Sequence, residues 1–248
     1  LQLNTTGTNN VAVGDLALAA NTTADNNTAV GTSALGANTT GTNNTAVGAD
    51  ALAANTTASY NSAFGRDALA TNTTGHRNSA FGRTSLEVNT TGTYNTAMGM
   101  DALALNTTAS NNTAVGRSAL AANTTGERLT AIGQSALAAN TTAAYNVAVG
   151  DRALLTNTGS SNNVAVGANA LYNFNVASGD GYNVAVGKNA GFAVTTGVEN
   201  TLIGGLAGDA ITDADFNVAV GYQALTNNVL GSRSTAIGRS ALNAQNPV

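Results

Sequence analysis

Apolar and polar positions along the chain recur with one fixed period. A Gly preceded by an apolar residue stands at Gly14, Gly31, Gly48, Gly65, Gly82, Gly99, Gly116, Gly133, Gly150, Gly167, Gly187, Gly204, Gly221 and Gly238, every 17 residues apart from one step of 20. The residue before the Gly is aliphatic, Phe or Met, as in Val13, Phe64, Met98 and Ile237. The one before that is Ala, with Leu202 the sole exception, and the third is Thr, Ser or Val. Alternation with period two predicts a short strand running into the Gly. Four residues past the Gly comes a Leu, from Leu18 to Leu242, replaced by Gly191 and Gly208 in two copies. Before the next strand the early copies carry Asn-Thr-Thr-Gly or Asn-Thr-Thr-Ala, as at Asn38-Thr39-Thr40-Gly41, residues suited to a tight corner.

Each copy thus predicts a strand, a bend, a second apolar segment and a polar corner. Seventeen residues trace roughly 55 Å of extended path, enough for one coil of two short strands and two turns but not for a helix hairpin. A single coil cannot bury itself, so successive coils must stack, each pairing its backbone with the next at about 4.8 Å. The expected fold is all-β, a parallel β-solenoid of fourteen 17-residue rungs forming one repeat domain over residues 1–248, with a small insertion near 172–181. The chain starts inside a repeat and is therefore expected to be a fragment of a longer protein. Asn10, Asn27, Asn44, Asn61, Asn78 and Asn95 recur before the strand, and Asn21 through Asn157 after the Leu, placed to form hydrogen-bonded ladders along the stack. The rival is a strand-plus-helix repeat of the leucine-rich kind, since Asp-Ala-Leu-Ala-Ala has helical propensity. Its usual repeat is longer and richer in Leu.

With the aliphatic before the Gly and the Leu after it turned inward, each rung has only two sizeable core groups. The Ala between strand positions then faces outward as an apolar ribbon: Ala12, Ala29, Ala46, Ala63, Ala80, Ala97, Ala114, Ala131 and Ala148. Such a ribbon marks an interface. Burial around an axis shared by identical chains would cover it, and a homotrimer is the expected assembly, with these Ala as its contact residues.

The repeat Asn-Thr-Ala-Val-Gly-x-x-Ala-Leu-x-x-Asn-Thr-Thr-Gly resembles the head repeats of trimeric autotransporter adhesins, the YadA-like family. The copy Asn217-Val218-Ala219-Val220-Gly221-Tyr222-Gln223-Ala224-Leu225 is the nearest to it. Similar repeats occur in phage tail-fibre proteins. The resemblance covers nearly the whole chain and implies a left-handed β-roll, three chains about one axis, and an extracellular location on a bacterial cell surface or a virion. No neck, coiled-coil heptads, membrane anchor or self-cleaving chaperone domain of that family is recognisable within these residues, so this stretch is expected to match the head repeats alone.

Composition adds exclusions. Charged residues are 9% of the chain, the formal net charge is -4, and Cys and Trp are absent. No basic patch suits nucleic acid, no disulfide scaffold exists, and no apolar run is long enough for direct membrane insertion. His76 is the only histidine, which leaves no metal cluster or nucleophile-base pair built on His or Cys. Asp50, Asp67 and Asp101 share a rung position with Ser33, Ser118, Ser135 and Ser240, as a solvated column would; Arg66, Arg83, Arg117 and Arg239 share another. Asp209, Asp213 and Asp215 gather oxygen ligands in one corner and are a calcium candidate, though their spacing matches no EF-hand. Tyr172 and Phe174 lie in the insertion and are candidate surface contacts, against a plainer role in local repacking where the Asn-Thr-Thr corners end; Tyr60, Tyr94, Tyr145, Tyr182 and Phe216 share the corner before the strand but are too sparse for a continuous binding stripe. The Asn-Thr-Thr triplets satisfy the glycosylation sequon as a by-product of the repeat.

The expected function is non-enzymatic, without cofactors: a structural and adhesive fibre segment of a surface adhesin or tail fibre, partnered by copies of itself and by a host-surface protein or glycan. The alternative is a monomeric ice- or surface-binding solenoid that presents the Thr22, Thr39, Thr56, Thr73, Thr90, Thr107 and Thr124 column.

Overall fold

A computed structural model describes residues 1–227 and 231–243. The chain divides into two compact units, Leu1–Thr125 and Gly126–Val248. Each is a parallel β-solenoid.

In the first unit the strands are β1 (Val11–Val13), β2 (Thr28–Val30), β3 (Thr45–Val47), β4 (Ser62–Phe64), β5 (Ser79–Phe81), β6 (Thr96–Met98) and β7 (Thr113–Val115). Each pairs in parallel with the next, and every residue meets its equivalent 17 positions on, as in Ala46↔Ala63 and Phe64↔Phe81. The second unit repeats this with β8 (Thr130–Ile132), β9 (Val147–Val149), β11 (Val164–Val166), β13 (Val184–Val186), β14 (Thr201–Ile203), β15 (Val218–Val220) and β16 (Thr235–Ile237). The 20-residue step is absorbed by β10 (Ser160–Ser161) and β12 (Gly179–Asp180), which form a separate parallel pair while Val164 still meets Val184. No helix occurs among the described residues. The Asp-Ala-Leu-Ala-Ala stretch is instead a pair of turns, closed in one rung by Ala51 N–H to Gly48 carbonyl and Asn55 N–H to Leu52 carbonyl.

Positive φ angles, four to a rung, make the coil close. In one rung they fall at Tyr60, Gly65, Asp67 and Leu69, with φ of 62°, 134°, 60° and 53°. At Gly65 both conformation and space demand Gly: a Cβ would lie 2.6 Å from the Gly82 carbonyl group one rung away. At Leu69 a left-handed backbone costs an L-residue about 1–2 kcal/mol. Complete burial of the side chain offsets this with about 1.5–3 kcal/mol.

Two Asn ladders run through the interior. In the first, Nδ2 of Asn55 donates to Asn38 Oδ1 at 2.9 Å and to the Ala58 carbonyl at 3.0 Å. In the second, Oδ1 of Asn44 accepts the Asn61 backbone N–H at 2.9 Å, while its Nδ2 also reaches the Ala58 carbonyl, at 2.8 Å. One corner carbonyl per rung is thus clamped by both ladders, and these Asn are fully buried. Their polarity is tolerated inside because the amides are satisfied by the neighbouring rungs.

Candidate interaction face

The strand side chains divide opposite to the size-based expectation. Ala29, Ala46, Ala63, Ala80, Ala97, Ala114, Ala131 and Ala148 have no exposed surface in the single chain, and Ala12 in the first rung is half-buried. The Ala column is therefore core, and residues sealed inside one coil cannot be the contact surface between coils. The reason is width. The Leu at the far wall and a second buried Ala beside it, such as Ala68 and Leu69, fill the coil until only a methyl fits under the strand. The exception supports this: where Gly191 and Gly208 replace the Leu, Leu202 replaces the strand Ala, and its methyls occupy the place a Cβ at Gly191 or Gly208 would need, at 2.8 and 2.7 Å. The neighbouring ladder position changes with it, from Asn to buried Phe174, Val194 and Ile211.

The outward strand face consequently carries the residue before the Gly and the one two before that. In the first unit these are Val13, Val30, Val47, Phe64, Phe81, Met98 and Val115 beside a row of Thr, Ser and Val; in the second, Ile132, Val149, Val166, Val186, Ile203, Val220 and Ile237 beside Thr and Val. Not one outward strand position in either unit is charged. Phe64 and Phe81 stack in parallel with centroids 4.8 Å apart, and Phe81 and Met98 remain 37% and 45% exposed.

The other expected sites fare differently. Phe174 is fully buried and cannot be a surface contact; its ring fills the space vacated by the Asn ladder. Tyr172 is half-buried and stacks on Phe192 at 5.2 Å. Asp209, Asp213 and Asp215 do not assemble: among the described residues no three His, Cys, Asp or Glu come together in metal-binding geometry. Asp215 Oδ1 accepts the Val198 N–H, and Asp213 Oδ1 accepts the Thr212 hydroxyl. Desolvation raises the Asp209 carboxyl above its ordinary pKa, partly opposed by a Thr226 hydrogen bond. The Thr22 and Thr39 hydroxyls donate to carbonyls of the following rung, as do Thr73, Thr90 and Thr107, and these side chains are half-buried. Sequon residues such as Asn38, Asn55 and Asn72 lie inside the ladders, closed to modification.

The corner aromatics, expected to be too sparse for a binding stripe, are exposed, and an Arg that the sequence reading left out joins two of them. Tyr60, Arg77 and Tyr94 occupy the same left-handed position in consecutive rungs, and the Arg77 guanidinium lies 5.7 Å from the Tyr60 ring centre and 5.3 Å from that of Tyr94. Arg128 over Tyr145 and Arg233 over Phe216 repeat the pairing. The 17-residue spacing of Tyr60, Arg77 and Tyr94 was the available signal. Comparison with models of known protein families returns no match, and neither does comparison with curated proteins.

Proposed function

We propose that this chain is a non-enzymatic, self-associating structural segment of an extracellular fibre or adhesin, assembled as a homotrimer through the outward strand faces. The observation that carries the reading is a periodic outward face without one charge, on which an apolar column runs beside a column of Thr, Ser and Val. An isolated soluble protein rarely exposes such a patch. Val13, Phe81 and Met98 in the first unit and Ile132, Ile203 and Ile237 in the second are each more than a third exposed. A second copy is the fitting occupant because only another solenoid matches the rung spacing along the whole face. Closed cyclic symmetry then buries the faces together. The resemblance of the repeat to YadA-like heads supports three copies and a role in attachment, where several equivalent binding surfaces multiply weak contacts.

Sedimentation equilibrium tests this against the 24.4 kDa chain mass. The expected mass is three times that value, falling to one chain in Phe81→Arg with an unchanged circular dichroism spectrum. A wild-type monomer at all concentrations would overturn the proposal, and thermal hysteresis from that monomer would favour the ice-binding alternative.

A further inference from the structure

We infer that the Tyr60–His76–Arg77–Tyr94 corner is a binding site for a carboxylated saccharide, of the uronic or sialic acid type. Among the described residues the one ion pair is Arg66 with Asp67, at 3.1 Å, so Arg77 keeps its charge without a carboxylate partner. Its guanidinium is nonetheless held between neighbouring rings. The Tyr60 and Tyr94 rings flank it, and Nη1 donates to the Tyr94 hydroxyl. One donor of the five-donor fork is thereby used, and the rest stay open to an anion. The His76 ring stands edge-on to Tyr94 at 6.0 Å, and both residues are exposed. Beside them an open depression is lined by Thr57, Ser59, Tyr60, Thr74, His76 and Arg77 together with Ala58, and no carboxylate is among its walls.

These groups suit one ligand chemistry. A carboxylate finds a guanidinium already placed between two rings, and each contact that positions it beforehand lowers the ordering cost of binding. The hydroxyls of Thr57 and Thr74 can exchange hydrogen bonds with sugar hydroxyls, Ser59 Oγ, which accepts the Thr42 N–H, can still donate one, and Tyr60, 57% exposed, gives the apolar face of a pyranose ring a platform. A bare anion would use only the guanidinium. The assignment supplies a ligand class for the adhesive reading and rests on that reading for its biological use, but not for its geometry, which a single chain contains.

Isothermal titration with oligogalacturonate and sialyllactose tests it on the full chain, with a neutral oligosaccharide and acetate as controls. Equivalent positions in adjacent rungs hold Asn43 and Asn111 with the same left-handed backbone, so Arg77→Asn and Tyr60→Asn are compatible with the coil. The expected result is binding of one acidic saccharide at a Kd of about 1 mM or tighter, weakened at least tenfold by Arg77→Asn and severalfold by Tyr60→Asn. Arg77→Lys, which keeps the charge but loses the fork, is expected to recover only part of it. No binding by either acidic saccharide, equal affinity for acetate, or an Arg77→Asn variant that binds like wild type would each overturn the assignment. Because the readout is per chain, a monomer that binds would refute self-association while leaving this site standing, and a trimer that does not would do the reverse.

Discussion

Replacing Gly65 by Ala isolates the constraint that one rung imposes on the next. The added methyl would sit 2.6 Å from the Gly82 carbonyl carbon and oxygen, both backbone atoms held in the stack, and φ at Gly65 is +134°. An L-residue in so sparsely populated a region costs about 1–3 kcal/mol. Forcing the rungs apart adds about 1–3 kcal/mol of overpacking. The sum is about 2–6 kcal/mol, a large share of a domain's stability. Gly36→Ala in the same unit is the control, since Gly36 has no positive φ and its column holds Ala in other rungs, such as Ala53 and Ala70. Urea unfolding followed by circular dichroism is the assay. Gly65→Ala is expected to lower the midpoint strongly, and Gly36→Ala to leave it near wild type or slightly higher. If the two variants unfold within about 0.5 kcal/mol of each other, the stacking argument is wrong.

Further expectations concern the interior. Asn72→Ala deletes one ladder step, leaving the Asn89 amide without its Asn72 acceptor and the Gly75 carbonyl without one of its two donors, and should cost about 1–3 kcal/mol by the same urea assay. Leu202→Ala should cost about 2–5 kcal/mol, and Gly208→Leu added to it should restore part of that, since φ at Gly208 is 58° and the Leu column adopts 48–58° at Leu18 and Leu225; additive effects in the double-mutant cycle would disprove the exchange. For Asp209 the folded-state pKa is raised, so the protonated form favours folding and that contribution fades as pH rises through the folded value. Asp209→Asn is therefore expected to melt higher than wild type at neutral pH, with the gap closing below the ordinary aspartate range, about pH 3; a gap that widens toward acid would refute it.

Much of the architecture was legible in the amino-acid order. The 17-residue period, the strand before each Gly, the inward Leu column and the Asn ladders follow from spacing and from the need of every rung to satisfy its backbone with a neighbour. The calcium corner failed because carboxylates close in sequence bond to different partners: Asp215 to the preceding rung, Asp213 to the adjacent Thr212. The corner aromatics Tyr60 and Tyr94 were legible as one column, but not the cation between them: Arg77 fills the gap in the column, and only stacking brings its guanidinium over both rings.

The sequence by itself determined that the strand has two faces, one of Ala and one of larger apolar residues, because alternation survives any arrangement of the coil. Only the tertiary structure decided which face is inside. Size argues for burying Val and Phe, but the width left by Leu69 and Ala68 across the coil admits a methyl alone, and Leu202 enters only where Gly191 and Gly208 vacate the opposite wall. The volume available to a side chain belongs to the closed coil, a property of residues far apart in the chain, so no local pattern could have carried it.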